Sequence, residues 1–114
     1  MEYLLAIYED EKRFANQEKD AFEKELREYR AFGDEHKSAI RGGNALQPTN
    51  TATTVRVRDG KRLTTDGPFA ETREQLAGYY LIEAKDLDEA IAMAAKIPGA
   101  RYGSIEVRPI MKFS

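Results

Sequence analysis

The chain has 114 residues, of which 33% are charged and 41% are apolar, and its formal net charge is -2. This length suits one folded domain spanning residues 1–114. The absence of cysteine excludes disulfide frameworks, thiol nucleophiles and thiolate metal sites. Lys and Arg do not outnumber Asp and Glu, as they usually do in a nucleic-acid-binding protein. No nucleic-acid partner is therefore expected.

The N-terminal segment MEYLLAIYEDE lacks the basic leader and the length of a signal peptide. No run of residues approaches the roughly 20 apolar residues that span a bilayer, so no membrane partner is expected. The predicted localisation is therefore the cytoplasm. No spacing of potential ligands resembles a metal site, and no cofactor is predicted.

The first predicted element is a strand at residues 3–8, YLLAIY, whose continuous apolar run is typical of a central strand covered on both faces. A long amphipathic helix follows, capped by Asn16 and ended by the glycines at residues 42–43. Gly33 is predicted to let this helix approach a sheet closely. The predicted apolar stripe of the helix is Phe22, Leu26, Tyr29, Gly33, His36 and Ile40.

A short strand is predicted at residues 45–47, and a β-hairpin follows it. Val55 and Val57 alternate with arginines, and the Asp-Gly pair at residues 59–60 suits a tight primed turn. Residues 66–76 are predicted to be irregular, with one helical turn from Thr72.

The segment GYYLIEAK alternates as a strand should, and Asp86 and Glu89 have the capping-box spacing that opens a second helix. Leu87, Ala90, Ile91, Ala94 and Ile97 are predicted to line one side of that helix, which ends at Pro98 and Gly99. The segment SIEVRPIM supplies the last strand. This order predicts an α+β ferredoxin-like sandwich, an antiparallel sheet with both helices on one face.

The uncovered face of such a sheet is expected to carry an apolar surface that a monomer rarely leaves in water. We expect a second copy to cover it by two-fold symmetry, giving a homodimer with a small-molecule pocket between the two sheets. The residues expected to contribute to that face are Val57, Tyr79, Tyr80, Ile82 and Val107.

The turn Asp66-Gly67-Pro68-Phe69 has two interpretations. In the structural one, Asp66 accepts backbone hydrogen bonds, Gly67 takes a positive φ, and Phe69 anchors the loop to the core. Turn aspartates are common, and the sequence favours this interpretation.

In the functional interpretation, Asp66 is a catalytic acid or base in a partly desolvated pocket. Arg56 and Arg108 would clamp an anionic ligand if their strand face became the lumen of the dimer. The other candidate substrate-binding residues are Phe69, Glu71, Arg73, Glu74 and Tyr79. His36, near a helix C-terminus, is interpreted as a hydrogen-bonded or dipole-paired residue, not as a catalytic base.

Residues 66–111, DGPFAETREQLAGYYLIEAKDLDEAIAMAAKIPGARYGSIEVRPIM, resemble the DGPF branch of the YCII-related family. With LLAIYEDE and GGNALQPTNTATTVRVRDGK, the resemblance covers nearly the whole chain. It implies a ferredoxin-like fold that dimerises into an α/β barrel. In the wider group it implies a His and Asp pair as a proposed active site, and one relative that removes chloride from a chlorinated hydroxyquinone.

The Asp of that pair transfers to Asp66, whereas His36 does not align with the His. Arg73 stands where many DGPF members carry Lys, which keeps the charge and argues against a Schiff-base amine. Two hypotheses follow. The first is a homodimer with metal-free hydrolysis, elimination or isomerisation centred on Asp66. The alternative, which rests on the resemblance, is a non-catalytic regulatory or interaction module linked to extracytoplasmic-function sigma factors.

Overall fold

A computed structural model describes residues 1–113 of the chain. These residues form a four-stranded sheet, a separate two-stranded hairpin and three α-helices. The strands are β1 (Glu2–Glu9), β2 (Ile40–Ala45), β3 (Thr53–Arg58), β4 (Lys61–Asp66), β5 (Gln75–Glu83) and β6 (Ser104–Pro109). The helices are α1 (Glu11–Ala15), α2 (Lys19–Glu35) and α3 (Leu87–Ala94).

The main sheet has the strand order β2-β5-β1-β6, and every neighbouring pair is antiparallel. Without the β3–β4 hairpin, this is the strand order of a ferredoxin-like sandwich, in which two strand-helix-strand units share one sheet. The predicted fold class is therefore confirmed. The hairpin is an insertion between the second and third strands of the sheet.

The hydrophobic core lies between the main sheet and the helices α2 and α3. Alternate residues of β1 face the helices, so Tyr3, Leu5 and Ile7 are all buried there. Phe32 of α2 and Ile82 of β5 pack into the same cluster. Because of this two-residue repeat, every second side chain further along β1 also faces the helices.

The predicted first helix is wrong at both ends. Asn16 is the C-cap of α1: its backbone N–H donates to the Lys12 carbonyl, and that of Gln17 donates to the Phe14 carbonyl. The long helix begins after Glu18 and ends at Glu35, with His36 as its C-cap. The expected close approach at Gly33 is also wrong, because a Cβ built there meets no atom within 4 Å.

Three shorter predictions also need correction. The second strand spans β2, Ile40–Ala45, instead of residues 45–47, because a register shift near Gly42 lets this glycine segment pair with β5. No helical turn forms at Thr72. In α3, Met93 is buried, whereas Leu87 and Ile91 are exposed.

Other local predictions are confirmed. The hairpin turns at Asp59 and Gly60, which both have positive φ angles, as a primed turn requires. The carboxylate of Asp86 accepts the backbone N–H of Glu89 at 2.9 Å and so caps α3. Glu89 in turn accepts the backbone N–H of Lys85 at 3.1 Å.

The hairpin projects from the body as an arm, a name used below for strands β3 and β4 with their turn. Within the described chain it makes no extensive contact with the main sheet or the helices. The Cα radius of gyration is 16.1 Å, against about 13 Å for a compact chain of this length. Val55 and Val57 are 58% and 61% exposed on this arm.

The face of the main sheet that lies away from the helices, here called the open face, is apolar at its centre. The strand registers place Leu4 opposite Leu81 and Ala6 opposite Tyr79 on this face. The sequence-based prediction of which residues lie on this face was only partly right. Tyr80, Ile82 and Val107 belong to or pack against the core on the helix side, and Val57 lies on the arm. Of the five expected residues, Tyr79 alone lies on the open face.

Candidate functional site

A cleft of about 970 Å³ lies between the helices α1 and α2 and the sheet strands β2 and β5. Its floor carries two glycines, Gly43 and Gly78. A methyl group on Gly43 would lie 2.7 Å from the carbonyl oxygen of Tyr79, and one on Gly78 would lie 2.9 Å from that of Asn44. The floor therefore has to stay free of side chains at these two positions.

Most of the accessible lining of the cleft is apolar. Phe14, Phe22, Leu26 and Leu46 line it, and they are 36%, 45%, 40% and 45% exposed. Apolar side chains exposed together around one cavity are typical of ligand sites. The lining residues therefore make the cleft a candidate ligand site.

A buried carboxylate, Glu9, lines the cleft among these apolar side chains. Glu9 continues the helix-facing repeat of Tyr3, Leu5 and Ile7 on β1, and only 2% of it is exposed. A charged side chain at this depth requires a partner, because removing a carboxylate from water is costly. The identity of its partners therefore determines the chemistry of the site.

Arg13 is the cation paired with both Glu9 and Glu25, and the neutral amide of Gln17 adds a hydrogen bond to Glu25 alone. Arg13 donates to both carboxylate oxygens of Glu25, at 3.0 and 3.4 Å, and Gln17 donates to Glu25 at 3.0 Å. The same Arg13 guanidinium reaches Oε1 of Glu9 only at 3.6 Å, which is too long for a hydrogen bond. The Arg13 group also lies 4.2 Å from the ring centroid of Tyr102.

Glu9 is therefore the weakly paired member of this cluster. Its Oε1 atom is buried without a hydrogen-bond partner among the described residues. Burial raises the pKa of Glu9 above its ordinary value of 4.5, Arg13 opposes the shift, and the charges of Glu25 and Glu74 add to the rise. A carboxyl group with these properties holds a proton more readily than an exposed one.

Tyr29 of α2 supplies a second polar group beside Glu9. Its hydroxyl oxygen accepts the backbone N–H of Gly99 at 3.2 Å. Burial raises the pKa of Tyr29, and the charges of Glu9 and Glu25 add to the rise, so the hydroxyl keeps its proton at neutral pH. The cleft thus combines a carboxyl group and a hydroxyl donor, the pair that acid/base chemistry requires.

Gly99 fixes the spacing of these two groups. A Cβ at this position would lie 2.5 Å from Oε1 of Glu9 and 2.8 Å from the hydroxyl oxygen of Tyr29. We expect Gly99→Ala to lower the free energy of unfolding by about 1–3 kcal/mol, because the added methyl overpacks a buried site. Urea denaturation would measure the change.

Gly33→Ala is the matched control, since nothing lies within 4 Å of its Cβ position. In the interior of α2 this change is expected to raise the free energy of unfolding by about 0.5–1 kcal/mol. Equal effects of the two substitutions would contradict the tight packing at Gly99.

The structure brings few of the sequence-predicted site residues to this cleft. Asp66 is exposed at the end of β4, next to Gly67, which has the expected positive φ of 101°. Phe69 is 81% exposed, so its expected role as an anchor to the core is wrong. Glu71 is also exposed in the connection that follows.

Two residues of that connection lie near the end of β1. The Nε atom of the exposed Arg73 is 3.7 Å from Oδ2 of Asp10. Glu74 accepts a hydrogen bond from Ser104 at 2.7 Å, and its charge contributes to the raised pKa of Glu9. Glu74 is therefore the predicted residue that is electrostatically coupled to the cleft.

Of the remaining candidates, Tyr79 is among the residues that line the cleft, whereas Arg56 and Arg108 are not. The Tyr79 hydroxyl accepts a hydrogen bond from Asn44 at 3.0 Å. Arg56 lies on the arm, whereas Arg108 lies on β6 and pairs with Glu106, so the two arginines belong to separate sheets within one chain. His36 is half-buried, and its Nδ1 lies 3.0 Å from the Phe32 carbonyl oxygen, in line with its structural interpretation.

The sequence did not predict a site made of Glu9, Arg13, Glu25 and Tyr29, although Tyr29 was placed on the apolar stripe of the helix. The sequence signal for this site was a charged residue at a position where the periodic pattern expects an apolar one. Glu9 continues the two-residue repeat of a strand, and Glu25 lies four residues before Tyr29 and seven before Phe32, on the same side of a helix. No group of three or more metal-ligand side chains occurs within residues 1–113. No helix in that range is long and apolar enough to cross a membrane.

Comparison with known proteins gives three similarities. The family model described as YCII-related domain matches residues 1–114. An uncharacterised protein of Rhizobium meliloti (strain 1021) is 39% identical over 114 residues, covering 96% of this chain and 92% of the relative.

The solved structure of 5-chloro-2-hydroxyhydroquinone dehydrochlorinase from Burkholderia phenoliruptrix AC1100, in complex with 2,5-dihydroxybenzoquinone, matches with a TM-score of 0.52. The two sequences are 14% identical, and the match covers 97% of this chain and 94% of the other. At this identity the match supports the fold assignment alone.

Proposed function

Because the chain belongs to the YCII-related domain family, whose matched relative is uncharacterised, we propose a function from the cleft. The protein is a small-molecule binding homodimer in which Glu9 acts as a metal-free general acid or base. Hydrolysis, elimination and isomerisation are the reaction types that such a group serves. The structural neighbour of similar fold is itself an enzyme, a dehydrochlorinase, which agrees with enzyme activity of this kind.

The observation that carries this proposal is the buried Oε1 of Glu9, which accepts no hydrogen bond from the described residues, in an apolar cleft. A carboxylate without strong hydrogen bonds is a stronger base than one in water, and the adjacent Tyr29 hydroxyl can donate to a developing negative charge. The hypothesis that Asp66 carries the chemistry stays a prediction. Its exposed position on β4 offers less desolvation than that of Glu9.

Ring opening of 5-nitrobenzisoxazole tests the proposal, because this neutral probe needs only a base. The carboxylate removes the proton on C3, the N–O bond breaks, and a coloured cyanophenolate forms while the proton stays on the carboxyl group. We expect Glu9→Gln to lower the rate by at least about 100-fold. The rate of the unaltered protein should rise with pH through a midpoint above 4.5, since burial raises the pKa of Glu9.

Two comparison variants make the assay decisive. Glu23→Gln alters an exposed carboxylate of α2 and should leave the rate unchanged. Asp66→Asn should have less than about a twofold effect if Glu9 is the base. A rate that falls with Asp66→Asn and survives Glu9→Gln would transfer the catalytic role to Asp66.

The regulatory alternative also stays a prediction. A sigma-factor partner, if one exists, should be captured by the purified protein in a pull-down with extracytoplasmic-function sigma factors. The apolar cleft with its buried carboxylate favours the small-molecule role.

A further inference from the structure

We propose that the cleft selects ligands that carry a protonated amine on an apolar body, with the ammonium group placed against Glu9. This inference rests on the proposed function, because it names the ligand class of the same cleft.

The buried cluster lacks one positive charge. Glu9 and Glu25 are 2% and 5% exposed, and Arg13 is the cation that pairs with both of them. Arg13 is hydrogen-bonded to Glu25, so Glu9 keeps an unsatisfied oxygen. Two carboxylates and one guanidinium leave a net charge of about -1 in a poorly hydrated place, which favours the entry of another cation.

The lining of the cleft excludes anions and suits an apolar amine. Its side chains within the described chain include Glu9, Glu11 and Glu25 but no Lys, Arg or His. A carboxylate or phosphate ligand would therefore meet negative charge without a compensating donor cation. The exposed rings of Phe14 and Phe22 offer apolar contact for the body of the ligand and π faces for its cationic end.

Below the raised pKa of Glu9, a proton takes the place of the missing cation while the cleft is empty. The groups that face Glu9 are Arg13 of α1, Glu25 and Tyr29 of α2, and Glu74 of the connection before β5. With burial opposing ionisation, the neutral carboxyl form is favoured below the raised pKa of Glu9. A bound ammonium favours the carboxylate, so binding should release a proton near that pKa.

Three probes of matched shape test the inference: 2-phenylethylamine, 2-phenylethanol and phenylacetate, which are cationic, neutral and anionic at pH 8. Isothermal titration calorimetry of the full chain should give a dissociation constant for the amine at least about tenfold below that of the alcohol, and no binding of phenylacetate. Amine affinity should rise with pH through the Glu9 transition. In that range, the dependence of the enthalpy on buffer ionisation should report proton release.

Variants assign the preference to one carboxylate. Glu9→Gln should lower amine affinity to that of the alcohol and leave the alcohol unaffected, while the exposed Glu23→Gln should change neither. Equal binding of amine and alcohol by the unaltered protein would overturn the charge preference and leave the proposed small-molecule function standing. If none of the three probes binds, the proposed function loses its ligand site as well. The probe series requires no variant, so a poorly folded Glu9→Gln protein would not prevent the test.

Discussion

Replacing Arg13 with methionine is expected to lower the free energy of unfolding by about 3–5 kcal/mol. The reason is that two buried carboxylates, Glu9 and Glu25, would lose the guanidinium that pairs with both. The loss should be greater at pH 8 than at pH 5. The pKa of Glu9 is already raised by burial, and removing the opposing charge of Arg13 raises it further.

The sign of this pH dependence follows from proton binding. As the pH rises above 4.5, the Glu9 carboxyl ionises in the unfolded chain before it ionises in the folded one, because its pKa is raised in the folded state. The folded state therefore binds more protons, and the free energy of unfolding falls as the pH rises. Urea denaturation across pH 5–8 measures the effect. The double variant Arg13→Met with Glu25→Gln is the control, and it should regain part of the lost stability. A pH-independent loss without such recovery would contradict the ion-pair explanation.

The fold was accessible from the sequence because local signals agreed with one another. The alternating strands, the Asp-Gly turn and the Asp86 cap each predicted an element that the structure contains. Element order then identified the ferredoxin-like topology. Some incorrect predictions concern features that depend on long-range strand pairing. At Gly42, for example, a shift in the pairing with β5 changes where the strand begins and ends.

The site was less accessible, because charged residues are ordinarily assigned to the surface. The apolar run of β1 was read only to Tyr8, although Glu9 is the next residue on the helix-facing side. Its burial depends on Arg13 and on Glu25 of another helix, a partnership that no single periodic pattern contains. In contrast, the polar turn at Asp66 was given a functional interpretation, yet Asp66 is exposed at the end of the arm and Phe69 is exposed in the connection that follows it.

The open face supports the proposed homodimer through its shape and composition. Leu4, Tyr8, Tyr79 and Leu81 are each partly exposed there, and Ala6 lies among them. The chain is only 18 Å deep along its shortest axis, so the sheet has helices on one side alone. A stable interface of ordinary size covers about 800 Å² on each partner, and two open faces meeting by two-fold symmetry would cover their apolar centres.

Leu81→Arg is therefore expected to dissociate the homodimer. Two-fold symmetry brings each substitution into the interface twice, and a buried guanidinium without a partner costs several kcal/mol. We expect the dissociation constant to rise at least about 100-fold. Sedimentation velocity at micromolar protein should show roughly 26 kDa for the unaltered protein and 12.9 kDa for the variant.

Ala92→Arg is the matched control for this experiment, because it adds the same charge at an exposed position of α3, on the helical side of the sheet. It should leave the dimer intact. Near-native urea midpoints for both variants would separate loss of assembly from loss of folding, since Leu81 is half-exposed in the single chain. A chain that sediments at 12.9 kDa before any substitution would refute the dimer. The cleft would be unaffected by that result, because it lies between the helices and the opposite side of the sheet.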